Sequence, residues 1–149
     1  MNAGLPSPRD AARLLRELCE GLRADEEGHT RLEELLEQQF QAALRHETAR
    51  MTALSDEVLA QVETLERQRD AQRRLLGLLL GRQERPTLRA LIRRLPPASA
   101  EPLARQWQAL QSGINRCKTL NLRNCRLLSE QRALMQQQLG QEEHLYAQR

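Results

Sequence analysis

The chain has 149 residues, of which 40% are apolar, 29% charged and only 2% aromatic. Leucine occurs 29 times, alanine 17 and glutamine 16, against 2 valines and 2 isoleucines; with so few β-branched and aromatic residues to cover its faces a sheet is excluded, which leaves a helical protein of single-domain size. The 22 arginines and one lysine exceed the 20 acidic residues by +3, an excess too small and dispersed to make a nucleic-acid footprint, although five arginines fall within Arg82–Arg94.

Ser7-Pro8-Arg9-Asp10 opens the first helix, with Ser7 as cap, Pro8 in the first turn and Asp10 at the positive end of the helix dipole. Apolar residues then recur in three- and four-residue steps at Leu15, Leu18, Leu22, Leu32, Leu36, Phe40 and Ala43. Gly28 and the box Thr30-x-x-Glu33 resemble a break followed by a new start. The stripe nevertheless stays in phase through Leu22, Asp25, His29 and Leu32, and a break there would leave a helix from 31 to 81, on the order of 75 Å long. A turn near His46–Arg50 gives better-matched lengths, although these positions carry no glycine or proline. That partition is preferred, with a kink near Gly28 left open.

The second segment carries Met51, Leu54, Val58, Val62 and Leu65, then Leu76, Leu79 and Leu80, and stops at Gly81. Between them Glu66–Arg74 is polar almost all round, so the core there is thin or completed by another surface. A short helix over 87–95 follows Pro86 and ends at Pro96-Pro97. Ser99 caps a last helix with the stripe Leu103, Trp107, Leu110, Ile114, Cys117, Asn121, Asn124, Leu128 and Met135, and Gly140 is its expected C-terminal cap. The expected fold is all-α: one domain over 1–149, an antiparallel bundle of three long helices (about 8–45, 50–81 and 100–139) with a short helix at 87–95, residues 1–7 and 141–149 being flexible.

Met1–Arg9 has no apolar core of signal-peptide length, and no run approaches the roughly 18 apolar residues of a membrane span. A cytoplasmic protein without stable membrane insertion is expected. Cys19, Cys117 and Cys125 are read as buried or half-buried thiols, since they match neither zinc spacing nor a disulfide framework. His29, His46 and His144 each lack a ligating neighbour at helical spacing and are read as surface or helix-end residues. With no phosphate loop and no nucleophile–base pattern, the chain reads as a non-enzyme without metal or cofactor. Trp107 reads as core. Asn121 and Asn124 occupy positions where leucine is expected, which either fixes helix register or offers a polar notch to a partner.

The stretch Leu120-Asn121-Leu122-Arg123-Asn124-Cys125-Arg126-Leu127-Leu128, followed by a polar helix and Tyr146, resembles the end of FlgN-type flagellar export chaperones, in which an Asn-x-x-Asn-Gly-x-Leu-Ile/Leu pattern marks the last long helix. Leu32-Glu33-Glu34-Leu35-Leu36-Glu37-Gln38-Gln39-Phe40 is similar to the family's first hairpin. Cys125 stands where the family has glycine, and the glycine motif after the tail tyrosine is missing. The resemblance implies a bacterial cytoplasmic chaperone that binds the amphipathic C-terminal segments of hook–filament junction proteins, FlgK and FlgL, and delivers them to the export apparatus. It implies Asn121, Asn124, Leu127, Leu128 and Leu134 as contacts to the client, and Tyr146 as a docking residue for an FlhA-like export gate. A self-associating coiled-coil scaffold is the alternative reading.

Overall fold

A computed structural model of the chain describes residues 4–82 and 84–147, apart from the side chain of Tyr146. Four helices follow one another: α1 (Pro8–Leu44), α2 (Thr48–Leu80), α3 (Leu88–Arg94) and α4 (Pro97–Ala147). The three long ones run up, down and up, so α1 and α4 are parallel and α2 is antiparallel to both. α1 is the shared partner. Both α2 and α4 pack along it, whereas no α-carbons of α2 and α4 approach within 8 Å among the described residues.

The ends of the helices follow local chemistry. Ser7 Oγ accepts the Asp10 backbone N–H at 3.2 Å, with Pro8 beginning the helix. Thr87 Oγ1 accepts from the Ala90 backbone N–H at 3.1 Å and starts α3. Gly81 ends α2 with φ +80°, a conformation a side chain would strain. The turn between α1 and α2, which the sequence places near residues 46–50, spans Arg45–Glu47. His46 there takes φ +56° without being glycine. The Glu47 N–H reaches back to the Ala42 carbonyl at 3.0 Å, closing a C-terminal cap of the kind glycine usually supplies.

Two expected boundaries are corrected. α4 begins at Pro97, before Ser99, because a proline in the first turn forgoes an N–H that has no acceptor there. It also runs through Gly140 to Ala147, so the expected tail is helical over 141–147; Gly140 meets no neighbouring atoms within 4 Å of an added Cβ, and a lone glycine only lowers helix propensity.

Gly28 does not interrupt α1, which is one helix from Pro8 to Leu44. A Cβ built on it would lie 2.7 Å from Leu65 Cδ2 and 3.1 Å from Gln61 Nε2, and Gln61 donates to the Gly28 carbonyl at 3.1 Å. The glycine therefore admits α2 to the helix surface. Thr30 donates its hydroxyl to the Glu26 carbonyl at 3.1 Å in mid-helix instead of capping.

The core has three parts. At the α3 end Leu18, Leu22, Leu76, Leu80, Leu88 and Leu91 meet Leu103 and Leu110, with Trp107 packed against them. Leu32, Leu36, Leu65 and Cys117 form the middle, and Leu35, Ala42 and Leu54 close α1 on α2 at the other end. Where α2 is polar, Gln72 is buried and donates to both the Gly21 carbonyl and Asp25 Oδ2, so one polar stretch packs on another.

Candidate functional site

The site is built from the way α4 is tied to α1. Four α4 side chains donate to α1 backbone carbonyls: Gln106 to Cys19 at 3.2 Å, Cys117 to His29 at 3.4 Å, Asn124 to Leu36 at 2.8 Å and Gln131 to Ala43 at 2.9 Å. The last three donors and their acceptors are spaced by seven residues on both helices, the register of parallel helices packed side by side. Beside this ladder Arg116 pairs with Glu33 at 2.7 Å and Arg123 with Glu37 at 2.9 Å. The Arg123 guanidinium also stands 3.6 Å over the Phe40 ring. Its hydrogen bond, aided by Gln41, holds the Glu37 carboxyl below the ordinary carboxylate range.

The ladder stops where α1 stops. α1 has 37 residues and α4 has 51, roughly 55 Å against 76 Å of helix. From Arg132 onward the described α4 side chains are exposed, among them Leu134, Met135, Leu139 and Leu145, at 54–65%. Leu120, Leu127 and Leu134 lie at seven-residue steps, as do Leu128 and Met135. Each row passes from half-buried to exposed as α4 leaves the bundle, so the overhang continues bundle-facing stripes without a bundle to face.

The residues singled out in the sequence divide accordingly. Asn124 is 3% exposed and its amide donates to the Leu36 carbonyl and to Gln39 Oε1, which ties α4 to α1. Asn121 and Leu134 are exposed, and Leu127 and Leu128 are half-buried at the point where α2 and α1 run out. Tyr146 lies in the last turn of α4, and its side chain falls outside the described residues. Leu145 lies beyond the expected stop at Gly140, and Leu139 just before it, so the sequence pattern does not show that both are uncovered on one continuous helix. The available signal was length, since a last helix carried through Gly140 outruns both partners.

Two further expectations are corrected. His29 is buried, not at the surface; its Nδ1 lies 2.8 Å from the Asp25 carbonyl, one turn back on the same stripe. Cys125 is exposed, while Cys117 is buried and Cys19 half-buried. Desolvation pushes the Asp25 carboxyl above the ordinary range, an effect opposed by the Gln72 hydrogen bond and by His29 and Arg69. Among the described residues no group of three or more His, Cys, Asp or Glu is placed to hold a metal ion, and no helix is long and apolar enough to cross a membrane.

What the arrangement offers is a helical surface for another helix, on a three-helix bundle whose last helix extends beyond its partners. The class this fold defines is an all-α helical bundle with one overhanging helix. The model of the family described as "FlgN protein" matches residues 14–140, and the chain belongs to the FlgN family of flagellar export chaperones. No curated protein and no solved structure matches the chain.

Proposed function

We propose that this chain is a cytoplasmic chaperone that holds the amphipathic C-terminal segments of FlgK- and FlgL-like junction proteins on the α4 overhang, prevents their premature assembly and passes them to an FlhA-like export gate. The observation that carries the reading is the pair of seven-residue rows, Leu127–Leu134 and Leu128–Met135, that leave the bundle uncovered. An amphipathic client helix laid on these rows replaces the partner that α1 supplies further back. The ordering entropy of a disordered client keeps such a complex releasable. Asn121, exposed on the same helix, supplies a polar contact at the edge, and Tyr146 is assigned to gate docking on the family resemblance.

Co-elution and calorimetry with C-terminal peptides of the junction proteins test the proposal. Leu134→Ser with Met135→Ser is expected to weaken the complex by about tenfold or more, equivalent to ~1.4 kcal/mol. Circular dichroism should stay unchanged, because both side chains are exposed. Absence of a complex with either peptide removes the proposal. A second reading, self-association of the overhang as a scaffold, rests on the same uncovered rows; light scattering distinguishes it, since it requires a stable oligomer indifferent to the peptides.

A further inference from the structure

The charge of this protein is not evenly distributed. Residues 82–94 hold five arginines and one glutamate, a net +4 against +3 for the whole chain, so the remaining residues sum to −1. The fold gathers this segment at the end of the bundle opposite the α4 overhang, where α1 begins, α2 ends and α4 begins. α3 buries Leu88, Ala90 and Leu91 and turns Arg89 and Arg93 outward. Arg82, Arg85, Arg89 and Arg93 are exposed and make no ion pair among the described residues. Arg94 is the structural member: it pairs with Glu84, neutralising the one acid of the segment, and donates to the Leu80 carbonyl at 3.1 Å. On adjoining elements Asp10 and Asp70 are taken up by Arg13 and Arg73. Glu17, Glu20 and Glu101 also stand exposed at this end, as do Arg9, Arg16, Arg74 and Arg105.

Apolar side chains lie among these cations. Leu78 is 56% exposed between Arg74 and Arg82, one turn to either side in sequence, and Leu5 is 46% exposed beside Gly81. Arginines that bind phosphate oxygens through paired N–H groups, interspersed with leucines that enter an acyl boundary, suit a lipid headgroup surface. A nucleic acid is less well served, because Trp107 at this end is packed against the core and Phe40 lies under Arg123 further along the bundle, so neither ring is offered for stacking among the basic side chains.

We propose that the α3 end of the bundle is a peripheral docking surface for an anionic lipid bilayer, with Arg82, Arg85, Arg89 and Arg93 on headgroup phosphates and Leu5 and Leu78 at the acyl boundary. In this pose α4 stands away from the bilayer and its overhang faces the surrounding solution, so both surfaces are usable at once. The full chain is to be sedimented with vesicles of phosphatidylcholine alone or with about one-third phosphatidylglycerol. Binding is expected only to the latter, falling about tenfold when salt is raised enough to shorten the screening length by half. The triple variant Arg85→Glu, Arg89→Glu, Arg93→Glu should lose it. The triple Arg45→Glu, Arg126→Glu, Arg132→Glu, which makes the same change of net charge on exposed residues toward the other end, should retain most of it. No binding to the anionic vesicles, equal loss in the two triples, or retention by duplex DNA at salt that abolishes vesicle binding would each overturn the proposal.

Discussion

Asn124 and Gln39 join the three long helices through a single polar relay. Asn124 Nδ2 donates to Gln39 Oε1 at 2.9 Å as well as to the Leu36 carbonyl, and Gln39 Nε2 in turn donates to Ser55 Oγ on α2 at 3.1 Å. Both amides are buried, so neither can turn to water when its partner is lost. Asn124→Ala should cost about 1–3 kcal/mol in urea unfolding, the penalty for a stranded buried acceptor. Combined with Gln39→Ala it should cost clearly less than the sum of the two singles, because both remove the same bond. Additive losses would mean that the relay does not act as a unit.

The glycines allow a test in which one substitution has opposite signs. At Gly77 and Gly140 an added methyl meets nothing within 4 Å, so replacement by alanine should stabilise by roughly 0.5–1 kcal/mol through helix propensity. At Gly28 the same methyl falls 2.7 Å from Leu65 Cδ2, a side chain itself only 5% exposed. Overpacking of about 1–3 kcal/mol then outweighs the propensity gain, and Gly28→Ala should lower the unfolding midpoint while Gly77→Ala raises it. A stabilised Gly28→Ala would show that α2 does not need the close approach.

These two cases also mark what the amino-acid sequence discloses. Helix stripes, the Ser7 cap and the Gly81 stop are legible because each rests on neighbours a few residues apart. The in-phase run Leu22, Asp25, His29, Leu32 indicates an unbroken α1, and its preference over a break at Gly28 holds. What Gly28 does, however, depends on Leu65, 37 positions away, and no local rule reports that. The α1–α2 turn is similarly opaque, since His46 adopts a left-handed φ that local preference assigns to glycine or asparagine. As for the candidate site, the heptad row through Leu127 and Leu134 is visible in sequence. That it is uncovered follows only from where α1 ends beside α4.

Asp25 should give the stability a recognisable pH dependence. Burial raises its folded-state pKa above the ordinary value, whereas the unfolded chain keeps the ordinary one. Over the interval between the two the folded state binds more protons, so this residue's contribution to stability falls as pH rises through that interval and stays low above it. Asp25→Asn retains an oxygen for Gln72 and removes the charge. The variant should match the wild type in acid, below the unfolded pKa, and exceed it at neutral pH. Equal stability at both pH values would mean that the carboxylate is solvated in the folded state.

The three thiols should react in an order set by their surroundings. Cys125 is exposed; Cys19 is half-buried with its pKa raised by desolvation; Cys117 is buried, donates to the His29 carbonyl and is pushed up to about 11 by burial and by Glu33. Only the thiolate attacks a disulfide reagent. At pH 8 a group with a pKa of about 11 is ionised in roughly one molecule per thousand, against about a quarter for an ordinary thiol. In single-cysteine variants Cys125 should therefore label first, Cys19 more slowly, and Cys117 last. Because Cys117 lies in the α1–α4 ladder, its labelling requires the two helices to part, and Asn124→Ala, seven residues along the same ladder, should accelerate Cys117 while leaving Cys125 unchanged. Equal rates for Cys117 and Cys125 in the native protein would show that α4 does not stay seated on α1, and the client surface would then begin well before Leu127.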